Sequence, residues 1–288
     1  MQGVTLRAAG KLNLFLHITG RRADGYHLLE SLVVFTTLAD VLRITPSPAL
    51  SLSVSGEFSG AAGAGEGNLV LKAAQALRAH TGCSAGAALA LEKNIPVGAG
   101  LGGGSADAAA ALRGLNDFWQ LGLSMTALQA LAIPLGADVA MCLAATPTLA
   151  RGIGEQLTPL AHPLPPLHAV LIHTRTPLLT KDVYAAFTPE SSWVAWESQP
   201  WASALQFTDA LRGTRNHLQR AAIAVDAQVA QVLLALETVQ PAPQLVRMTG
   251  SGACCLALYA DAGHAARAAR GLAQTHPNWW VQAVGIGG

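Results

Sequence analysis

The stretch from residue 96 to residue 107 reads P-V-G-A-G-L-G-G-G-S-A-D, with glycine at positions 98, 100, 102, 103 and 104. Glycine adopts positive φ readily and lets backbone N–H groups approach a ligand, because no Cβ intervenes. An alanine-rich segment follows, and the sequence predicts that its helix begins at Ser105. A helix N-terminus adds unpaired N–H donors and the positive end of a dipole. We therefore expect this loop to bind an anion, most simply a nucleoside triphosphate.

Two familiar nucleotide-binding loops fit this stretch poorly. A Walker loop requires Lys after its spacer and then Ser or Thr, but Gly104 stands at the lysine position. Positions 98, 100 and 103 do spell the dinucleotide fingerprint G-x-G-x-x-G. That motif also requires a strand running directly into it and an acid about 20 residues later, where this chain has Leu123. An ordinary glycine-rich turn would lose the folding entropy of five glycines without a ligand to justify it.

Composition excludes several classes of protein. The chain has 288 residues, a formal net charge of +1 and 51% hydrophobic residues. A near-neutral charge is not typical of a nucleic-acid-binding protein. We find no apolar run of membrane-spanning length and no basic-then-apolar leader at the N-terminus, so we expect a cytoplasmic protein without a membrane partner. The cysteines (Cys83, Cys142, Cys254 and Cys255) form no C-x-x-C pair, and we interpret them as structural thiols.

The segment from residue 11 to residue 18 alternates apolar and polar side chains, which predicts a strand with one apolar face. Lys11 and Asn13 share the other face, so we expect both to point out of the core. A lysine at such a position is ordinarily a solvated edge residue. The pattern alone therefore leaves a structural and a catalytic interpretation of Lys11 open.

Strands and helices are mixed along the whole chain, which favours an α+β fold. Helices are predicted over residues 68–80, 124–132 and 220–237, and two strands around a turn are predicted over residues 246–259. A proline-rich stretch at 159–166 is typical of a linker. We predict two domains, residues 1–158 and 159–288.

Five short motifs together resemble those of the GHMP kinases, the superfamily of galactokinase, homoserine kinase and mevalonate kinase. They are G-K-L-N-L at 10–14, R-R-A-D-G-Y-H at 21–27, the glycine loop at 96–105, G-A-D-V at 136–139 and M-T-G-S-G at 248–252. The resemblance implies a two-domain α+β GHMP kinase fold with the active site in the interdomain cleft, and an enzyme that uses ATP and Mg²⁺.

The resemblance also implies roles for individual residues. Lys11 and Asp138 would be catalytic, with Asp138 as the base. ATP would lie on Pro96, Val97, Gly98, Ala99, Gly100, Leu101, Gly102, Gly103, Gly104 and Ser105, and the Ser105 hydroxyl is the best candidate for a magnesium ligand. Substrate would contact Asn13, Tyr26, His27, Tyr184, Thr249, Gly250 and Ser251.

Simpler interpretations of two of these residues stay open. Asp138 follows Gly136 and Ala137 in an apolar segment, where an aspartate is also a good N-cap for a helix. Tyr184 matches the motif loosely and could equally be a core tyrosine.

Within the superfamily the motifs resemble kinases of a small alcohol that carries a cytidine diphosphate, in non-mevalonate isoprenoid precursor synthesis. The alternatives are a GHMP kinase for another small alcohol and a non-catalytic nucleotide-binding protein of the same fold. Residues 216–219 read N-H-L-Q where the resemblance predicts N-D-[LF]-E, so two expected acids are missing. Trp193, Trp196 and Trp201 match no motif, and we interpret them as packing or interface residues. The sequence does not indicate an oligomeric state.

Overall fold

A computed structural model describes residues 3–189, 193 and 195–287. Strands and helices are mixed along this part of the chain, as the sequence predicts. The strands are β1 (Val4–Arg21), β2 (His27–Thr45), β3 (Leu50–Ser55), β4 (Ala87–Glu92), β5 (Thr148–Arg151), β6 (Gln156–Pro159), β7 (Leu167–His173), β8 (Leu245–Met248), β9 (Cys255–Tyr259) and β10 (Trp280–Ile286). The helices are α1 (Ser59–Ala62), α2 (Leu69–Thr81), α3 (Gly103–Phe118), α4 (Met125–Ala132), α5 (Ala137–Ala144), α6 (Thr180–Ala186), α7 (Ala204–Arg212), α8 (Gln219–Val225), α9 (Gln228–Thr238) and α10 (Ala262–Thr275).

Residues group by mutual packing into two compact units. The first unit comprises residues 1–11, 38–97 and 102–145, and the second comprises residues 12–37, 98–101 and 146–288. The long strands β1 and β2 pair with each other and contribute residues to both units. Division of the chain at residues 158 and 159 stays a prediction, as does an active site in a cleft between two domains.

The first unit packs helices against a mixed sheet. The end of β2 pairs antiparallel with β4, from Val41 opposite Glu92 to Thr45 opposite Ala88, and β3 pairs parallel with β4. Helix α3 packs between α2 and α5. The leucines that α2, α3 and β4 turn inward, among them Leu77, Leu91 and Leu112, are fully buried.

The second unit is built on an antiparallel sheet in the order β2, β10, β7, β9, β8. Strand β5 pairs with the first part of β2 and also with β6. Helices α8, α9 and α10 supply buried aliphatic side chains to one core with β7 and β9, including Leu218, Val232 and Leu272. The predicted pair of strands around the turn at 249–252 is confirmed, because β8 and β9 pair from Met248 opposite Cys255.

Two helix predictions are confirmed by their caps. Asn68 caps α2 by accepting a hydrogen bond from Val70 N, and Gly82 ends the helix in the left-handed region. Ser124 caps α4 by accepting a hydrogen bond from Ala127 N at 3.3 Å. These boundaries are encoded locally, which is why the sequence predicts them.

The prediction of one long helix over residues 220–237 is wrong. The segment is divided into α8 and α9. The division lies at Asp226, whose backbone is extended and whose carboxylate accepts a hydrogen bond from Gln228 N at 2.9 Å. An aspartate that bonds a backbone N–H two residues later competes with the helix, and it begins a new one here.

In the part of the chain that the structure describes, no helix combines the length and the apolar character needed to cross a bilayer.

Gly56 brings the end of β3 against the backbone of Lys93. A Cβ added at Gly56 would lie 2.6 Å from Lys93 O and 2.8 Å from Lys93 N, and the φ of Gly56 is +92°. Gly63 in the same unit also has positive φ (+62°), but a Cβ there would meet no atom within 4 Å. A comparison of Gly56 with Gly63 therefore distinguishes the effect of backbone strain from that of close packing.

We expect Gly56→Ala to lower the free energy of unfolding by about 2 kcal/mol more than Gly63→Ala does. Both variants place a Cβ at positive φ, whereas Gly56→Ala alone also forces the Lys93 backbone aside. Urea denaturation of the two variants measures the difference. Equal losses would show that the approach of Gly56 to Lys93 adjusts at no cost.

Candidate active site

The glycine loop takes a backbone shape that needs glycine. Gly98, Gly100 and Gly102 all have φ between +65° and +76°. Helix α3 begins at Gly103 with Gly102 as its N-cap, so the predicted start at Ser105 is wrong by two residues. The first hydrogen bond of the helix runs from Ala106 N to Gly102 O at 2.8 Å. The N–H groups of residues 103–105 therefore have no acceptor inside the helix and can donate to an anion.

Close contacts hold this loop at two of its glycines. A Cβ on Gly100 would lie 2.8 Å from Thr249 O and 2.9 Å from Gly252 O. A Cβ on Gly102 would lie 2.8 Å from Lys11 Cγ. Any larger residue would separate the loop from these partners, which explains glycine at both positions.

A buried ionic network lies beside the start of α3. Lys93 Nζ donates to Asp107 Oδ2 at 2.6 Å and also to Asp40 Oδ2. Asp40 Oδ1 accepts from Asn94 N at 2.5 Å and from Ile95 N at 2.9 Å. All three charged residues are at most 3% exposed. The network thus joins the segment entering the glycine loop to the helix leaving it.

Burial raises the pKa of Asp107 to about 7, against the attraction of Lys93 and with the repulsion of Asp40. Within the described residues Asp107 Oδ1 makes no hydrogen bond. The carboxyl group is therefore less well solvated as an anion than it would be in the unfolded chain.

The sequence interpretation did not identify Asp40, Lys93 or Asp107. Each is a charged residue in an apolar or small-residue context, in L-A-D-V-L at 38–42, L-E-K-N-I at 91–95 and S-A-D-A-A at 105–109. A charge in such a context is a signal, because a charge there must be paired if it is buried. The identity of the partners depends on packing.

Lys11 and Asp138 come together in the first unit. Lys11 Nζ lies 3.6 Å from Asp138 Oδ2, and the two side chains are 6% and 43% exposed. The expectation that Lys11 and Asn13 point out of the core is wrong, because both residues are buried. Strand β1 is covered on both faces over most of residues 8–17, so alternation in its sequence does not mark a solvent side.

Asp138 does not cap helix α5. The N-cap is Gly136, and Asp138 lies in the first turn. A carboxylate in the first turn is stabilised by the helix dipole. The N-cap interpretation of Asp138 is therefore wrong, and its partly exposed carboxylate faces the Lys11 ammonium instead.

Asn13 is anchored in the second unit. Its side-chain amide donates to Ser31 Oγ at 2.7 Å, and its backbone N donates to Thr249 Oγ1 at 2.8 Å. Ser31 Oγ in turn donates to Phe15 O. These contacts join β1 to the turn that follows β8.

The turn at 249–252 also makes a polar contact with α6. Its backbone is closed by a hydrogen bond from Gly252 N to Thr249 O at 3.0 Å. Ser251 Oγ lies 2.9 Å from Thr180 Oγ1 at the start of α6, so the hydroxyls hydrogen-bond. The turn is therefore connected to the helix that carries Tyr184.

Three predicted substrate residues line one cavity in the second unit. The cavity has a volume of about 540 Å³ and includes Tyr26, His27 and Tyr184 in its wall. Tyr26 is 63% exposed. The rings of His27 and Tyr184 lie 5.1 Å apart, and burial, followed by Arg21, lowers the pKa of His27. Tyr184 also packs on the core, so its two interpretations are compatible.

Trp196 and Trp201 pack against each other, as one of our interpretations holds. Trp196 stacks on Trp201 with ring centroids 5.9 Å apart, and Trp196 N donates to Glu30 Oε1 at 3.0 Å. Trp193 lines a second cavity of about 480 Å³, beside His27.

The pKa of Asp107 predicts a pH-dependent stability. Because the pKa is higher in the folded protein than the value of about 4 in an unfolded chain, the Asp107 contribution to stability is complete below about pH 4 and lost as the pH rises through about 7. Asp107→Asn cannot ionise. We expect the unfolding free energy of the unmodified protein, relative to this variant, to fall between about pH 5 and about pH 8.

Urea denaturation at the two pH values tests this expectation. Asp117→Asn, at an exposed position on the same helix, is the matched control and should show no such trend. A pH-independent difference between the unmodified protein and Asp107→Asn would refute the raised pKa.

Family models match both parts of the chain. The model of the GHMP kinases N terminal domain matches residues 68–146, and that of the GHMP kinases C terminal domain matches residues 240–278. The first match includes the glycine loop, α3 and Asp138, and the second includes the turn at 249–252.

Full-length relatives give a closer comparison. The chain is 44% identical over 281 residues to a 4-diphosphocytidyl-2-C-methyl-D-erythritol kinase of Paramagnetospirillum magneticum, covering 98% of both chains. It is 43% identical to the enzyme of the same name from Brucella melitensis, covering 96% of this chain and 93% of the relative.

Solved structures agree. A crystal structure of a 4-(cytidine 5'-diphospho)-2C-methyl-D-erythritol kinase matches with a TM-score of 0.79 and 33% identity, over 99% of this chain and all of that one. A homoserine kinase of Cytophaga hutchinsonii shares the fold, with a TM-score of 0.73 and 17% identity over 100% of this chain and 95% of its own. The chain belongs to the GHMP kinases and, within that superfamily, to the family of 4-diphosphocytidyl-2-C-methyl-D-erythritol kinases.

Proposed function

We propose that the chain transfers the γ-phosphoryl group of ATP to the 2-hydroxyl of 4-diphosphocytidyl-2-C-methyl-D-erythritol, in non-mevalonate isoprenoid precursor synthesis. The products are the 2-phosphate and ADP. The observation that carries the proposal is the pairing of Lys11 and Asp138, 3.6 Å apart, in a chain 44% identical to a kinase of this substrate over almost its full length.

Asp138 acts as the general base. Its partly exposed carboxylate can accept the proton of the attacking hydroxyl, after which the oxygen attacks the γ-phosphorus and ADP leaves. The Lys11 ammonium stabilises the negative charge that develops on the attacking oxygen. Phosphoryl transfer depends mainly on such positioning and charge stabilisation.

Residues 96–105 hold the nucleotide. The free N–H groups at the start of α3 donate to phosphate oxygens. Mg²⁺ prefers oxygen ligands and is commonly held by one or two side chains together with substrate phosphates. The Ser105 hydroxyl in the first turn of α3 is a donor of that kind, so it is the candidate side-chain ligand. Bound Mg²⁺ would neutralise charge on the β- and γ-phosphates.

The aromatic cavity binds the cytidine end of the acceptor. Tyr26, His27 and Tyr184 offer ring faces on which a pyrimidine can stack, and the volume of about 540 Å³ accommodates a nucleoside. Asn13, Thr249, Gly250 and Ser251 contact the rest of the acceptor. We place the reaction in the cytoplasm, where ATP is available.

Removing the base separates chemistry from binding. We expect Asp138→Asn to lower kcat by at least about 100-fold, while the Kd of a non-hydrolysable ATP analogue changes less than about threefold. Steady-state ADP release and isothermal titration calorimetry measure the two quantities. Asp117→Asn is the matched control and should retain activity. Near-normal turnover by Asp138→Asn would rule out this residue as the base.

The aromatic cavity can be tested at its exposed ring. Tyr26 is 63% exposed, so its replacement in Tyr26→Ala should change stability little. We expect KM for the acceptor to rise about tenfold and KM for ATP to stay constant, whereas Tyr26→Phe retains stacking and affinity. An unchanged KM for the acceptor in Tyr26→Ala would place the cytosine elsewhere.

The substrate is tested by comparing three acceptors. ADP release is measured with ATP and magnesium against the cytidine-diphosphate methylerythritol, mevalonate and homoserine. We expect turnover with the first alone. Turnover with another alcohol would change the substrate, and nucleotide binding without turnover on any acceptor would favour a non-catalytic nucleotide-binding protein.

A further inference from the structure

The segment 215–219 follows α7, ends on the first residue of α8 and lies along β1. Leu16 N donates to Arg215 O at 3.0 Å, and His217 N donates to Leu16 O at 2.8 Å. The ring of His217 adds a contact, because its Nδ1 accepts from Ile18 N at 2.9 Å. The segment is therefore held to β1 by backbone and side-chain hydrogen bonds.

The same segment also forms hydrogen bonds with the end of β8 and the turn that follows it. Asn216 Nδ2 donates to Met248 O and to Gly250 O, both at 2.8 Å, and Asn216 Oδ1 accepts from Leu218 N at 3.0 Å. Gln219 Oε1 accepts from Met248 N at 3.0 Å. Asn216 is 7% exposed, so water has little access to replace these bonds.

Asparagine suits position 216 because its amide donates and accepts together. Aspartate would present oxygen to the carbonyls of Met248 and Gly250 and could not donate to either. An aliphatic residue would leave both carbonyls without this partner.

The strand before the turn is fixed independently. The buried guanidinium of Arg247 donates to Leu14 O at 2.6 Å and to the backbone O of Thr214 at 2.8 Å. The end of β8 is thus tied to β1 as well. The side chains of Asn216 and Gln219 then hold the backbone of the residues that follow Arg247.

The turn at 249–252 is in direct contact with the glycine loop. Gly100 approaches Thr249 O and Gly252 O so closely that a Cβ would not fit, and Ala99 O accepts from Cys254 N at 3.2 Å. Asn13 N donates to Thr249 Oγ1. A shift of the turn would therefore move residues of the loop on which the nucleotide phosphates are proposed to lie.

We propose that Asn216 and Gln219 are positioning residues that set the turn at 249–252 and, through it, Ala99 and Gly100 of the glycine loop. The inference rests on the proposed function of these two segments. At 217 and 219, where two acids are missing, His217 and Gln219 each accept a backbone N–H, as a carboxylate could. Both side chains thus provide a hydrogen-bond acceptor without a negative charge.

Gln219 gives the cleanest test. Gln219→Met keeps an unbranched side chain of similar length but removes the acceptor for Met248 N. We expect the Kd of a non-hydrolysable ATP analogue and the KM of both substrates to rise about tenfold. Gln219→Glu restores an acceptor oxygen and should recover wild-type values within about twofold. Gln231→Met, at an exposed position on α9, is the matched control.

Asn216→Asp provides a second variant with a larger expected effect, about a hundredfold on kcat/KM. If this variant fails to fold, the Gln219 variants decide. A lower thermal midpoint with unchanged Kd and KM in Gln219→Met would overturn the proposal, because it would show a purely structural contact. A Gln219→Glu variant as impaired as Gln219→Met would overturn it too.

Measuring the binding of the ATP analogue directly distinguishes a failure of this inference from a failure of the proposed function. If the unmodified chain does not phosphorylate the acceptor but Gln219→Met still weakens binding of the ATP analogue, the function fails and the positioning role stands. If the acceptor is phosphorylated and the variants bind and turn over normally, the function stands and the positioning role fails. An unmodified chain that binds no ATP analogue would overturn both.

Discussion

The pairing of one buried ammonium with two buried carboxylates is the constraint on which the glycine loop depends. An unpaired charge at Asp40, Lys93 or Asp107 would cost folding free energy, because all three side chains are buried. The network cannot form unless β2, the end of β4 and α3 are all in place. Because Asp40 also binds the N–H groups of Asn94 and Ile95, the same requirement determines how the chain enters the loop.

The loop is then held along its length by contacts that exclude side chains. Gly102 lies on the aliphatic part of Lys11, and Gly103 lies beside Ile95 and the Lys93 ammonium. Gly100 lies against the turn at 249–252. A phosphate site made of backbone N–H groups is only as precise as the backbone that carries them. Close packing at these glycines supplies that precision without a lysine in the loop.

Strand β1 carries two residues of the proposed chemistry. Lys11 and Asn13 are two residues apart, and each is buried and has its own partner, Asp138 for the lysine and Ser31 for the asparagine. Buried polar groups with satisfied partners have few alternative rotamers. The segment 215–219 connects this strand to the turn after β8 through neutral acceptors at the two positions where acids were expected.

The sequence by itself determined the features that depend on residues close together in the chain. Helices α2 and α4, the turn between β8 and β9 and the glycine loop were predicted from local patterns, because helix periodicity and glycine φ are local properties. The roles of Lys11 and Asp138 followed from the resemblance of their motifs to those of the GHMP kinases, and they stay predictions. The start of α3 was missed by two residues and the break at Asp226 was not predicted, since several backbone paths compete at helix ends.

Tertiary structure alone decided which side chains are buried and with what. Alternation in β1 suggested a solvent face, but packing covers both faces and buries Lys11. Asp40 and Lys93 are 53 residues apart, and Asn216 and Gly250 are 34 apart. No local pattern encodes such pairs, because they exist only once separate elements have packed together and the cost of burying a polar group selects its partner.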